Sequence, residues 1–266
     1  MKRLFFVSVL FIAACTTTQV STTTATKAPP TSVVVDGKLF ATVFQQRAAE
    51  YRALCFQAFN IAKLRLDNYK QQSSKPTAII TDIDETVLDN SPYQAKEALL
   101  GKDYDPVSWA DWTNKGIADT VPGAAAFLKY AALKGVTIFY ITNRNEKERQ
   151  STIKNLQRFN LPNADDAHFM PKKDTSSKEL RRQNVFATHE IVMLLGDNLA
   201  DFSSLFDKRT ESERLRNTNF SAADFGNRFI VLPNPVYGDW EPAIYNYNKY
   251  AIPQKDSVLK AGLRSY

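Results

Sequence analysis

Four short runs of apolar and β-branched residues punctuate the chain: Thr77-Ala78-Ile79-Ile80-Thr81, Val136-Thr137-Ile138-Phe139-Tyr140-Ile141, Ile191-Val192-Met193-Leu194-Leu195 and Phe229-Ile230-Val231-Leu232. Runs this short, apolar at successive positions rather than alternate ones, predict strands covered on both faces. Stretches of helical period separate them. From Leu39 to Gln72, the residues Tyr51, Leu54, Cys55, Ala58, Ile61 and Ala62 recur at helical spacing with Arg47, Glu50 and Lys63 between them, which predicts one long amphipathic helix. Val121-Pro122-Gly123 opens a helix that runs through Leu133 and stops at Gly135, a third helix covers Glu146 to Phe159, and a fourth runs to Phe186 from a cap at Ser176 or Ser177. Asn90 to Thr120 shows no sustained period, and Asn160 to Asp174 reads as loop. Strands alternating with helices predict an α/β sandwich around a mostly parallel sheet.

The apolar run from Leu4 to Ala14, behind Lys2 and Arg3, is too short for a membrane span of about 20 residues and has the size of a signal-peptide core. It ends Ile12-Ala13-Ala14-Cys15, which resembles a bacterial lipoprotein signal. Residues 1–14 are therefore expected to be the signal peptide and Cys15 the lipidated first residue of the mature chain. Acyl chains on Cys15 would anchor the body to a membrane, each buried methylene adding about 0.8 kcal/mol. Thr16 follows the cysteine, where such signals use Asp for inner-membrane retention, so the expected address is the bacterial outer membrane, on its periplasmic or surface face. Residues 15–32, rich in Thr with Ala, Pro and Ser, cannot bury enough apolar surface to fold and read as a tether, stiffened at Pro29-Pro30. A globular domain over 33–266 follows.

Composition narrows the chemistry. With 266 residues, 44% hydrophobic and 23% charged, the chain has room for a large core and resembles neither a disordered nor a polytopic membrane protein. Two histidines and two cysteines exclude histidine-rich zinc sites and disulfide frameworks. Cys55 lies in an apolar stripe and reads as a small buried hydrophobe, whereas His168 and His189 read as structural or surface residues. Lys and Arg number 34 against 28 Asp and Glu, and with Lys2 and Arg3 in the leader the remainder carries +4. No basic run interleaved with aromatics supports a nucleic-acid polymer as partner.

The reactive residues stand at strand ends. Asp82-Ile83-Asp84 follows the first run, Thr142-Asn143-Arg144 the second and Gly196-Asp197-Asn198 the third. In open parallel sheets, ligands bind outside the carboxyl ends of the strands, so these groups are expected to share one site. Asp82 and Asp84 would repel each other unless a cation or proton intervenes, and Asp197 supplies a third carboxylate. That donor set suits Mg²⁺, which takes oxygen ligands from one or two carboxylates plus a substrate phosphate, while Thr142, Asn143 and Lys178 are placed to hold phosphate oxygens.

Asp82-Ile83-Asp84-Glu85-Thr86, Thr142, Lys178 and Gly196-Asp197 together resemble the four-part signature of the haloacid dehalogenase (HAD) superfamily. More narrowly, Ile80 through Tyr93 and Gly196 through Phe202 resemble the two signatures of bacterial class C acid phosphatases. The resemblance covers the chain from about Leu39 onward. It implies a HAD-like three-layer α/β sandwich with a Rossmann-like central sheet, a small cap insertion at about 83–120 and an N-terminal helical extension. It also implies Asp82 as nucleophile forming an aspartyl-phosphate, Asp84 as general acid and base, and Mg²⁺ held by Asp82, the Asp84 backbone carbonyl and Asp197. Asp201 would orient Lys178 or a metal-bound water. Trp109 and Tyr237 would sandwich an aromatic leaving group, with stacking contributing about 1–3 kcal/mol per base. The implied substrates are small phosphomonoesters, with nucleoside 5′-monophosphates and nicotinamide mononucleotide foremost. The assembly is left open between a monomer and a homodimer. The competing class is a binding lipoprotein that captures haem or a host ligand on the same scaffold, with His168 and His189 as its thin support. A shared magnesium site requires Asp197 within about 10 Å of Asp82.

Overall fold

Unbroken apolar runs need cover on both sides, and the arrangement of helices supplies it. The computed structural model describes Ser32 to Tyr266; the leader, the tether to Thr31 and the lipidation site Cys15 lie outside the described residues. Two helices come first, α1 (Val33–Arg47) and α2 (Ala49–Asp67), followed by strand β1 (Thr77–Thr81). An insertion then holds β2 (Leu88–Asp89), α3 (Ser91–Leu99), α4 (Pro106–Thr113) and β3 (Asp119–Thr120). The alternating body continues as α5 (Ala124–Leu133), β4 (Thr137–Asn145), α6 (Arg149–Arg158), β5 (Phe169–Lys172), α7 (Glu179–Thr188) and β6 (Glu190–Gly196). It closes with α8 (Glu211–Phe220), β7 (Phe229–Val231), α9 (Trp240–Ile244) and α10 (Ile252–Gly262).

The main sheet has the order β5-β4-β1-β6-β7, and every pairing in it is parallel. Alternation along β1 shows how both faces are buried. Ile79 joins Ile138, Tyr140, Met193 and Leu195 against Phe59, Phe127, Leu128, Ile153 and Leu156, whereas Ala78 and Ile80 join Phe139, Ile141 and Leu194 against Val185 and Phe202. Helices α2, α5 and α6 thus form one outer layer and α7 with the Phe202 segment the other, giving the three-layer α/β sandwich that the sequence implied. No described helix is long and apolar enough to cross a membrane.

Three elements differ from the sequence pattern. The single helix expected over Leu39 to Gln72 is two helices, bent at Ala48, whose extended backbone (φ −80°, ψ 128°) interrupts a run of strong helix formers. Alanine favours helix, so the cause is tertiary. Helix α1 packs against α3 and α10, α2 packs against α5 and β7, and one straight rod cannot reach both surfaces. Phe44 and Tyr51 meet edge to face across the bend, 6.2 Å apart. The stretch read as loop from Asn160 to Asp174 contains β5, an edge strand of four residues with Pro171 inside it. Proline in a ladder is tolerated only at such an edge, and it erased the strand signal. Neither Ser176 nor Ser177 is the N-cap of α7, because Lys178 occupies that position, drawn inward by its ammonium.

The insertion, without a sustained period in the sequence, is helical at α3 and α4, each with proline in its first turn. Its ends are closed by the antiparallel pair β2 and β3, Leu88 opposite Thr120. Cys55 is fully buried, and burial pushes its thiol up to about 11, which keeps it protonated and inert.

Leu128 and Leu133 test this packing on one helix. Leu128→Ala, at a fully buried position, is expected to cost about 2–5 kcal/mol. Leu133→Ala, 88% exposed, should stay within about 0.5 kcal/mol. Urea unfolding of the two variants reads the difference directly.

Candidate active site

Strand order decides which side chains meet. Because β1 lies between β4 and β6 and all three run the same way, Asp82, Thr142 and Asp197 leave the sheet at one edge. The Asp82 N–H extends the ladder by one bond, to the Leu195 carbonyl at 2.9 Å. One carboxylate oxygen from each of Asp82, Asp197 and Asp201 lies within 4.8 Å of the others, well inside the limit that a shared cation sets. Lys178, 4% exposed, reaches into this cluster and donates to Asp82 Oδ1 and, at 2.6 Å, to Asp201 Oδ1.

The local chain is built to allow the approach. Asn198 starts a 3₁₀ turn over Leu199–Asp201, and the Asp201 Oδ2 accepts the Asn198 N–H at 3.0 Å, folding the carboxylate back over Gly196. A Cβ on residue 196 would stand 2.5 Å from the Asp201 side chain, so only glycine fits. Asp197 is held from both sides, with the Thr86 hydroxyl donating to Oδ1 at 3.1 Å and Asn234 Nδ2 to Oδ2 at 2.8 Å.

Burial dominates the electrostatics. It pushes the Asp82 carboxyl up to about 7 against the pull of Lys178, and raises Asp197 well above the ordinary carboxylate range, with Asp201 and Asp82 adding repulsion. The Lys178 ammonium also loses solvation, but Asp201 and Asp82 outweigh that loss and hold it charged. Three carboxylates against one ammonium leave two negative charges when all are ionised. An all-oxygen donor set with that excess fits a hard divalent cation.

Asp84 occupies a different neighbourhood from Asp82. Its Oδ1 accepts from Arg144 Nε at 2.9 Å, Arg144 Nη2 at 2.7 Å and Asn90 Nδ2 at 2.9 Å, and its Oδ2 faces the Thr142 hydroxyl at 3.4 Å. Its side chain is therefore outside the carboxylate cluster. Thr142 and Arg144 share a face of β4 by the strand's period of two, and Asn143 turns the other way, exposed, with its Oδ1 accepting from Arg181 Nη2 at 2.9 Å. Arg144 was expected at this edge as part of the Thr142-Asn143-Arg144 strand end but without a role of its own, and Arg181 carried no expectation from sequence.

Glu85 was also missed. It sits at φ +57°, fully buried, and accepts the Asn90 N–H at 2.8 Å and the hydroxyl of Tyr237. Tyr237 is thereby pinned to the loop that follows β1. Trp109 lies on α4, its ring 5.0 Å from Tyr93 edge to face and 5.8 Å from the Arg144 guanidinium carbon. A cavity of about 340 Å³ opens beside Lys178, with Asn143, Ser177, Asp207, Asp239 and Tyr247 in its walls. The histidines stand apart from all this. His168 Nδ1 pairs with Asp165 at 2.7 Å, His189 Nδ1 meets the Thr188 hydroxyl at 2.8 Å, and both rings pack on Phe139.

Comparison with known proteins places this geometry. Residues 8–240 match the family model described as HAD superfamily, subfamily IIIB (acid phosphatase). The crystal structure of the class C acid phosphatase from Bacillus anthracis with tungstate bound superposes with a TM-score of 0.84 at 43% identity, over 88% of this chain and 99% of that one. A second structure of the same phosphatase matches equally. Among curated proteins, a stem 31 kDa glycoprotein of Glycine max is 27% identical over 164 residues, and acid phosphatase 1 of Solanum lycopersicum is 30% identical over 77. Those alignments span 58% and 30% of the two relatives and 59% and 29% of this chain.

Raised carboxyls make a pH-dependent prediction. A carboxyl with an elevated folded-state pKa binds a proton on folding between its unfolded value, near 3.9, and its folded value. For Asp82, stability is therefore fullest below about pH 4 and is lost as pH climbs through about 7, and Asp197, raised by the same burial, acts in the same direction. A divalent cation binds the ionised forms, so it should raise Tm more at pH 7.5 than at pH 4.5. Thermal melts with the cation or EDTA check this, and equal shifts at both pH values would contradict it.

Proposed function

The chain belongs to the HAD superfamily, subfamily IIIB (acid phosphatase), and on that premise we propose that it is a Mg²⁺-dependent acid phosphatase releasing phosphate from small phosphomonoesters through an aspartyl-phosphate. The observation that carries the proposal is the convergence of Asp82, Asp197 and Asp201 at one sheet edge, with Lys178 bound to the first and third and Asp84 two residues beyond the first.

Asp82 and Asp197 would hold the Mg²⁺ ion, with the Asp84 backbone carbonyl as a third protein ligand. Asp201 accepts from Lys178 and from the Asn198 N–H and would hold the lysine. When bound, the ion supplies charge that offsets repulsion between carboxylate and phosphate.

Asp82 is the nucleophile. Its Oδ1 is bound by Lys178, and its Oδ2, without a hydrogen bond among the described residues, attacks phosphorus. As the phosphorus–oxygen bond to the leaving group breaks, Asp84 gives its proton to the departing oxygen. Asp84 then takes a proton from the water that cleaves the aspartyl-phosphate and frees inorganic phosphate. Lys178 offsets charge on the phosphoryl oxygens, the Thr142 hydroxyl donates to one of them, and Asn143 has its Nδ2 free to donate because Arg181 occupies its carbonyl. Trp109, whose ring lies beside Arg144, and Tyr237, bonded to Glu85, would receive an aromatic leaving group, as in nucleoside 5′-monophosphates and nicotinamide mononucleotide. Tungstate, bound by the Bacillus anthracis relative, is a tetrahedral oxyanion like phosphate and should compete with substrate here.

The leader motif ending at Cys15 supports a lipid anchor in the outer membrane. Labelled palmitate is expected to enter the wild type and not Cys15→Ser.

Phosphate release from nucleoside 5′-monophosphates at acid pH tests the chemistry. Asp82→Asn should lose at least about 10³-fold in kcat, EDTA should silence the wild type until Mg²⁺ is restored, and tungstate should inhibit competitively. An Asp82→Asn variant with near wild-type turnover would refute the mechanism.

A further inference from the structure

A buried arginine, Arg144, holds the Asp84 carboxylate. This arginine is 2% exposed, and every side of its guanidinium is engaged. Nε and Nη2 bind Asp84 Oδ1, Nη2 also donates to Asn90 Oδ1 at 3.2 Å, and Nη1 donates to Thr152 Oγ1 at 3.1 Å. Asn90 in turn donates to the same Asp84 oxygen and accepts from Trp112 Nε1 at 2.9 Å, so the network joins β4 and α6 to the insertion.

Its consequence for Asp84 follows from donor and acceptor inventory. Oδ1 faces three N–H groups that can only donate, so a proton cannot reside there without a donor-to-donor clash. Oδ2 faces a hydroxyl at 3.4 Å that can turn to accept or donate. The proton of a protonated Asp84 therefore has one seat, Oδ2. Because the guanidinium is anchored at Thr152 and Asn90, the carboxyl plane is fixed as well.

The geometry points to Arg144 as the positioning residue of the general acid: by occupying Oδ1 it assigns the transferable proton to Oδ2 and fixes the direction from which that oxygen delivers it. This rests on the reading of Asp84 as the group that protonates the leaving oxygen. The step itself balances simply, the Oδ2 proton passing to the departing oxygen as its bond to phosphorus breaks and leaving Asp84 as carboxylate. Arg144 touches no reacting atom and acts through Asp84.

Leaving-group dependence separates this role from a merely structural one. p-Nitrophenolate departs without a proton and an alkoxide does not, so kcat/KM is measured for p-nitrophenyl phosphate, phenyl phosphate and a simple alkyl phosphate. Arg144→Met is expected to lose about 100-fold on the alkyl ester and under about tenfold on p-nitrophenyl phosphate, within the range that a positioned acid contributes. Arg144→Lys, which restores one donor and the charge, should recover part of the alkyl activity. Thr152→Val removes only the outer anchor and should lose about threefold on the alkyl ester alone, a small fraction of an acid's contribution. Asp84→Asn is run beside them. If it is steeply dependent on leaving group while the Arg144 and Thr152 variants lose the same factor on all three esters, the positioning role is overturned. A flat Asp84→Asn profile overturns the acid assignment and, with it, this inference. Should circular dichroism show Arg144→Met unfolded, Arg144→Lys and Thr152→Val decide the question, and a flat profile in both rejects it.

Discussion

Carboxylates that repel one another have been brought together where little water remains to screen them, and the rest of the sheet's C-terminal edge is arranged around that cost. Asp82, Asp197 and Asp201 present oxygens within 4.8 Å of one another, and desolvation raises the proton affinity of the first two. Lys178 offsets part of the repulsion, but a buried ammonium is stable only while its partners stay in place. Hence the surrounding groups: Thr86 and Asn234 on Asp197, the Asn198 N–H on Asp201, and a glycine at 196 because any side chain would push Asp201 away. The residual negative charge is what a dication would neutralise, so the cluster's instability and its suitability for a metal have the same origin.

Two carboxylates only two positions apart acquire different environments from the turn that separates them. Asp82 continues the β1 ladder and meets Lys178, while Asp84 points across to Arg144 and Asn90. Opposite roles for neighbouring acids require that kind of separation, because identical surroundings would leave them competing for one proton. Glu85, in the left-handed region at φ +57°, is the residue through which the chain turns, and its side chain is used again to hold Tyr237. Backbone strain at that point is offset by the hydrogen bonds Glu85 accepts from Asn90 and Tyr237.

The aromatic side of the site is assembled from segments far apart in sequence. Asn234 and Tyr237 belong to the loop after β7, yet they are bonded to Asp197 and Glu85 respectively. Behind that loop, Lys38 and Lys255 alternate with Asp103 and Glu241, Lys255 lying 2.8 Å from Asp103 and Lys38 lying 3.1 Å from Glu241. This ring of partly buried charges ties α1, the insertion, α9 and α10 together, so the helices before the sheet support the insertion and the Tyr237 loop.

Local sequence determined a great deal here. Apolar runs of four to six residues specify strands buried on both faces because no other placement hides every side chain, and Asp82, Thr142 and Asp197 at the C-terminal side of parallel strands must then share an edge. Strand β5 was illegible because Pro171 belongs to an edge, and edges are known only once the sheet is assembled. The bend at Ala48 was illegible because helix-forming residues continue through it, and only the divergent surfaces beneath α1 and α2 demand the break. Glu85 and Arg181 look like ordinary charged residues in the sequence, and Arg144 shows there only as part of a polar strand end; their importance comes from partners that are 152 positions away for Glu85 and 60 for Arg144. Sequence determined which chemical groups stand at the sheet's edge. Tertiary structure decided which of them touch, because burial and pairing of charge depend on distance in space, which no local pattern encodes.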